Sequence, residues 1–198
     1  MRLFYFYCLF FLIISVNCGY DFPLKTKFIG KFRQWVCSWL DVGQFQTIAG
    51  KLEDFVSPNT TVDQLKSEII KVGMETLTTP QKTTLATFAG KFISKYGNYD
   101  GAMSVLGTVI ASNMQPFSDQ LSAMWIKYES NGKTRERIFQ RGYKMGDMFL
   151  TQKRVGTIYC RLKLAFNNYD KTMWPFIKQN MNNIILFSVL DGLGTSCA

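Results

Sequence analysis

The chain opens with an uninterrupted apolar run. After Met1 and Arg2, residues Leu3 to Ile14 contain no charged side chain, and Ser15-Val16-Asn17-Cys18-Gly19 follows. One cation, an apolar core of about a dozen residues and small residues behind it predict an export signal, because such a core is too short to span a bilayer. Residues 1–18 are therefore expected to be a signal peptide and residues 19–198 a secreted, extracellular domain. Cleavage after Ser15 and cleavage after Cys18 both fit the pattern.

Past the leader the period changes to that of amphipathic helices. Phe28, Phe32, Trp35, Val36 and Trp39 form one stripe, and Phe45, Ile48, Leu52 and Phe55 form a shorter one before Ser57-Pro58. Thr61 with Gln64 reads as a capping box opening a helix through Val62, Leu65, Ile69 and Val72. Thr79-Pro80 reads as an N-cap with proline at the first helical position, ahead of Leu85, Phe88, Ala89, Phe92, Ile93 and Tyr96, and Gly97 stops the run. Ala102, Leu106, Val109 and Ile110, then Leu121, Trp125 and Tyr128 beyond Pro116, predict a long helix or a kinked pair. Ile138 to Phe149, Val155 to Tyr169 and Trp174 to Ile185 complete the series. Strand-like alternation is absent. The fold class is all-α: a single compact bundle of about eight or nine short helices.

Export changes the reading of the cysteines, since thiols pair in oxidising compartments. Cleavage after Cys18 leaves Cys37, Cys160 and Cys197, and cleavage after Ser15 leaves Cys18 as well. At 100° per residue Cys37 falls about 180° from Phe28, and Cys160 lies off the stripe of Val155, Ile158, Tyr159, Leu162 and Phe166. Cysteines outside a buried stripe favour a bridge, to each other or to the terminal cysteines, so the bundle is expected to be disulfide-assisted, with Cys37–Cys160 as the first candidate.

Charge is uneven. Residues 127–163 hold ten basic and three acidic side chains, a net of +7 in a chain whose formal charge is +9. Arg137, Arg141 and Lys144, spaced i, i+4, i+7, line one side of a predicted helix whose other side carries Ile138, Met145 and Phe149. Such a face attracts anionic membranes, sulfated glycans or a fatty-acid carboxylate. It also serves ordinary solubility. Nucleic acid is not expected as a partner, since no nucleic-acid-binding signature is present.

Candidate chemistry narrows by exclusion. The chain has no histidine, which removes Ser-His-Asp and Cys-His catalysis, HExxH zinc sites and His-ligated haem or copper. Asn131-Gly132-Lys133-Thr134 ends like a phosphate loop, but Lys127 stands where the first glycine belongs, so it reads as a turn. Asn98-Tyr99-Asp100-Gly101 is part of a calcium loop lacking its first and twelfth ligands, where Tyr96 and Gly107 stand. No paired carboxylates suited to glycoside hydrolysis emerge. The expectation is a protein without catalytic residues, metal or cofactor.

Three further features carry meaning. Asn59-Thr60-Thr61 is an N-glycosylation sequon in a predicted interhelical loop. Gly142 and Gly146 lie on an apolar stripe, where small residues admit a close neighbour. The chain also contains 17 Phe, 9 Tyr, 4 Trp and 9 Met. Those side chains fill a core or line an adaptable apolar cavity, for which Phe88, Phe92, Met103 and Trp125 are the candidate lining.

Leu77-Thr78-Thr79-Pro80, Phe92-Ile93-Ser94-Lys95-Tyr96-Gly97 and Asn131-Gly132-Lys133-Thr134-Arg135-Glu136 together resemble the SXP/RAL family of small secreted helical proteins of nematodes. Phe92 stands where that family often has Trp. The Leu-Thr opening and the Lys-Tyr cluster are also similar to the nematode fatty-acid and retinol-binding proteins. The first resemblance implies a secreted helical bundle, with divalent-cation or small-ligand binding in some members. The second implies a lipid carrier. The expected function is thus a secreted, non-enzymatic binding protein for an apolar ligand such as a fatty acid. The alternatives are a basic protein docking on membrane or glycan, and an SXP/RAL-like binder of divalent cations.

Overall fold

In the computed structural model, which describes residues 39–57, 59–182, 185 and 187–191, every regular element is an α-helix. In chain order these are α1 (Val42–Phe55), α2 (Val62–Thr76), α3 (Thr79–Tyr96), α4 (Asp100–Ser130), α5 (Arg135–Phe149), α6 (Gln152–Tyr169), α7 (Met173–Met181) and the five-residue α8 (Phe187–Asp191). The all-α class holds. The export signal, the stripe from Phe28 to Val36 and Cys37 lie outside the described residues.

The helix starts follow local side-chain chemistry. Thr61 and Gln64 form the expected capping box on α2. The cap of α3 is set one residue earlier than expected: Thr78 is the N-cap, its backbone amide donates to Gln81 Oε1 at 2.8 Å to close a capping box, and Pro80 stands at the second helical position. Proline lacks only an amide that has no partner in a first turn, so either position suits it. Asp41 and Gln44 supply a third box on α1. Gly97, at φ 80°, ends α3 in the left-handed conformation that glycine adopts without cost.

Of the two forms expected around Pro116, α4 takes the long one. It runs 31 residues without a break, and Pro116 sits inside it. Pro116 cannot donate to the carbonyl of Ser112, but both residues are exposed, so that carbonyl is open to solvent and its lost bond costs little. Met114, Phe117, Ser118 and Leu121 are buried on the opposite side and hold the helix in place. The last predicted stripe is also shortened: α7 stops at Met181, and Ile185 lies beyond it.

α4 serves two cores. Along Ile110 to Trp125 it packs with α1, α2 and α5 through Phe45, Leu52, Leu65, Val72, Ile138 and Tyr143. At its N-terminal end Ala102 joins Phe92 of α3, Tyr159 and Phe166 of α6, Met173 and Trp174 of α7 and Phe187 of α8. Leu106 and Leu190 touch both groups.

Gly142 and Gly146 set the approach of α5 to α4. A methyl group on Gly142 would stand 3.2 Å from Leu121 Cδ1, and one on Gly146 would reach Phe117 Cζ at 4.0 Å. Close packing therefore accounts for the pair. Replacing Gly142 by Leu should lower unfolding stability by about 1–3 kcal/mol through overpacking. Gly90 in α3 has open space around its α-carbon, so Gly90→Ala should instead raise stability by about 0.4–1 kcal/mol. Urea midpoints of the two variants check the contrast, and equal shifts would contradict this packing.

Candidate functional site

The basic face lies on α5. Thr134 caps the helix by accepting from the Arg137 amide, and Glu136 places a negative charge in the positive first turn. Ile138, Phe139, Gly142, Tyr143 and Gly146 are buried, which turns Arg137, Arg141 and Lys144 to solvent, where all three are exposed. The ion pairs among the described residues, Lys51–Glu75, Glu68–Lys71 and Lys178–Asp191, lie elsewhere. The structure therefore brings the three predicted anion-binding residues together on one face. It adds Met148, 66% exposed, which at i+11 from Arg137 falls within about 20° of it around the helix axis.

Other cations of the same segment are engaged within the fold. Arg135 donates to the carbonyls of Glu53, Asp54 and Val56, the open C-terminal end of α1, and its guanidinium lies 5.5 Å from the Trp125 ring centroid and 5.4 Å from that of Phe139. It satisfies carbonyls that have no partner inside α1 and complements the negative end of that helix. Arg154 stacks 3.9 Å above Phe149 and donates to its carbonyl at 3.3 Å. Arg161 donates to the side-chain oxygen of Asn113.

Beside Arg135, the Tyr143 hydroxyl donates to the Glu53 carboxylate. Burial pushes Glu53 above its usual value of 4.5 against the lowering effect of that hydrogen bond; Asp54 pushes it further up and Arg135 draws it down. A second polar cluster joins α6, α7 and α8: Tyr159 donates to Asp191 at 2.6 Å, and Lys178 reaches the other carboxylate oxygen at 2.6 Å. Burial, then Asp191, hold the Tyr159 phenol well above its ordinary range. Tyr159 therefore acts as a neutral donor that fixes the last helix.

The predicted apolar lining is not gathered. Phe88 and Phe92 do meet, with ring centroids 5.9 Å apart, in a cluster with Tyr96, Tyr99 and Phe176. Trp125 is buried in the other core against Phe139, and Met103 is 37% exposed and belongs to neither. The reason is the length of α4, which separates Met103 from Trp125 by 22 positions, about 33 Å along the axis.

Cys160 is also placed differently from expectation. It is buried, at 8% exposure, because α6 packs against α4 and α7 on more than one side. Lying off the Val155 stripe therefore does not mean exposure for Cys160. Its proposed partner Cys37 lies outside the described residues. Asn59 stands exposed in the α1–α2 loop as expected. Both suspected ligand loops are turns: Asn98 Oδ1 accepts from the Asp100 amide at 2.9 Å, and Gly132, at φ 63°, turns the chain so that the Lys133 amide reaches Tyr128 O at 3.0 Å. Among the described residues no group of three or more His, Cys, Asp or Glu is placed to hold a metal ion.

The sequence reading missed Met148, Arg135 and Glu53. Met148 was within reach, because the spacing that aligns Arg137 with Lys144 extends to it. The roles of Arg135 and Glu53 depend on contacts across more than 80 positions, which no local spacing encodes. Arg135→Ala should cost roughly 1–3 kcal/mol, since charge-assisted bonds to three carbonyls are lost, whereas Arg141→Ala should leave the urea midpoint unchanged.

The raised value of Glu53 means that the fold prefers its protonated form. Its contribution to stability is present below its unfolded value and is lost as pH rises through the elevated folded value. Glu53→Gln keeps an acceptor for Tyr143 without the charge. It should raise the thermal midpoint at neutral pH, and the gain should close as pH falls below 4.5. A pH-independent difference would overturn this account. The chain matches no protein-family model, no curated protein sequence and no solved structure.

Proposed function

We propose that this is a secreted, non-enzymatic basic protein that docks on anionic surfaces through the α5 face of Arg137, Arg141 and Lys144. One observation carries the reading: three exposed cations without ion pairs among the described residues, in register with an exposed methionine, on a helix whose other side is anchored in the core. Neighbouring arginines are engaged in capping and stacking, and these three are not. A cationic row with an apolar member suits a membrane surface, where headgroups meet the charges and the methionine reaches the acyl boundary. A sulfated glycan offers the same charge without the apolar layer.

A second reading, a carrier of an apolar ligand such as a fatty acid, draws on the aromatic cluster of α3 and α7. Phe88, Tyr96, Tyr99 and Phe176 are only half-buried around Phe92, and the Lys95 ammonium lies 5.1 Å from the Phe176 centroid, where it would meet a carboxylate. The resemblance to the nematode fatty-acid and retinol-binding proteins points the same way for the ligand class. The disulfide involving Cys160 belongs with the export reading, which places the chain where thiols oxidise.

The wild-type protein should bind phosphatidylserine-containing vesicles at low salt and release them as ionic strength rises and the screening length falls to about 8 Å. Replacing Arg137, Arg141 and Lys144 together by Gln should abolish most of that binding with helical circular dichroism unchanged. Met148→Gln should weaken vesicle binding and leave heparin binding intact if the surface is a bilayer. Equal vesicle and heparin binding by the triple variant and the parent would assign the charges to solubility. Saturable displacement of a fluorescent fatty acid, lost in Lys95→Gln, would favour the carrier instead.

A further inference from the structure

We infer that Asn59 carries an N-linked oligosaccharide, and that the hydroxyl of Thr61 serves first this modification and then the cap of α2. Asn59-Thr60-Thr61 is the only such sequon in the 198 residues. It falls in the loop between α1 and α2, where Asn59 is exposed and its side-chain amide makes no hydrogen bond among the described residues. The loop is held from beneath by its neighbour. Thr60 is 6% exposed, its backbone amide donates to Ser57 O at 3.1 Å, and its hydroxyl accepts from the Ser57 amide at 2.9 Å. A glycan on Asn59 therefore extends into solvent without disturbing either core.

The acceptor sequence needs a hydroxyl two residues after the asparagine, and here that residue is Thr61. In the folded chain Thr61 Oγ1 accepts from the Gln64 amide at 3.2 Å while the Thr61 amide donates to Gln64 Oε1 at 2.8 Å. Capping occupies one lone pair of this hydroxyl and holds it against the first turn of α2, so its presentation to the transferase comes before the α2 N-terminus forms. In that step Asn59 Nδ2 attacks the anomeric carbon of an oligosaccharide carried on a lipid pyrophosphate. A C–N bond forms, the anomeric C–O bond breaks, the lipid pyrophosphate leaves with the electron pair, and the amide proton passes to a base of the transferase. No oxidant or reductant is involved.

This inference rests on the export reading, so its test separates the two. The full chain is expressed in eukaryotic cells with its own N-terminus and, in parallel, behind an added export signal, and the secreted protein is treated with peptide-N-glycosidase. A mobility shift in both forms, with conversion of the asparagine to aspartate at position 59, is the expected result. Asn59→Gln should abolish the shift, and Thr61→Ser should keep it. Thr61→Asp should abolish it while holding the thermal midpoint, because aspartate caps a helix as well as threonine does. A shift only behind the added signal would uphold the site and refute export by the native leader. Protein that reaches the medium and shows no glycosidase-sensitive shift would overturn the inference.

Discussion

The length of α4 is the constraint on which the rest of the bundle depends. Thirty-one residues at 1.5 Å each make a rod of about 46 Å, too long to be wrapped by one layer of the shorter helices. Its apolar surface is therefore shared between two cores: Ile110 to Trp125 take α1, α2 and α5, and Ala102 with Leu106 take α3, α6 and α7. The two ends of one helix cannot close on a common cavity. That is why aromatic content alone misplaces a pocket in this chain, and why the functional reading shifts from the interior to a surface.

Burying helix ends beside such a rod creates a second demand, because terminal amides and carbonyls need partners. Two glutamines answer it at one junction. Gln44 and Gln81 close the capping boxes of α1 and α3 and also face each other, with Gln44 Nε2 donating to Gln81 Oε1 at 2.7 Å and Gln81 Nε2 returning to Gln44 Oε1 at 3.0 Å. Gln44 further donates to Thr76 O in the last turn of α2 at 3.1 Å, and Gln81 to Trp39 O at 2.5 Å. Three helix ends thus meet through two amides, with Gln44 itself only 8% exposed. Arg135 does the corresponding work at the other end of α1.

What could be read in the sequence was local. The Thr61–Gln64 box, the Gly97 stop and the small-residue seam of Gly142 and Gly146 all depend on neighbours within one or two turns, and all appear as expected. The choice between a continuous α4 and a pair kinked at Pro116 was not legible, because it depends on which side of the helix faces water. Cys160 illustrates the same gap: a single apolar stripe assumes one packed side, and α6 is packed on more. The cationic face was legible because Arg137, Arg141 and Lys144 lie on a capped, strongly amphipathic helix. The division between engaged and available arginines was not, since Arg135, Arg154 and Arg161 have the same charge and find their roles only in three dimensions.

That division also sets the strength of any docking. Each cation close to an anionic leaflet contributes about 1 kcal/mol, so the three residues of α5 supply roughly 3 kcal/mol, short of the roughly 4 kcal/mol that a millimolar dissociation constant represents. Met148 adds an apolar increment, but one side chain does not turn such a contact into an anchor. The exposed Lys127, Lys133 and Lys153 add long-range attraction without sharing the helical row. A face of this kind therefore supports rapid, reversible and salt-sensitive attachment, and tight binding would require several copies of the chain to engage one surface together.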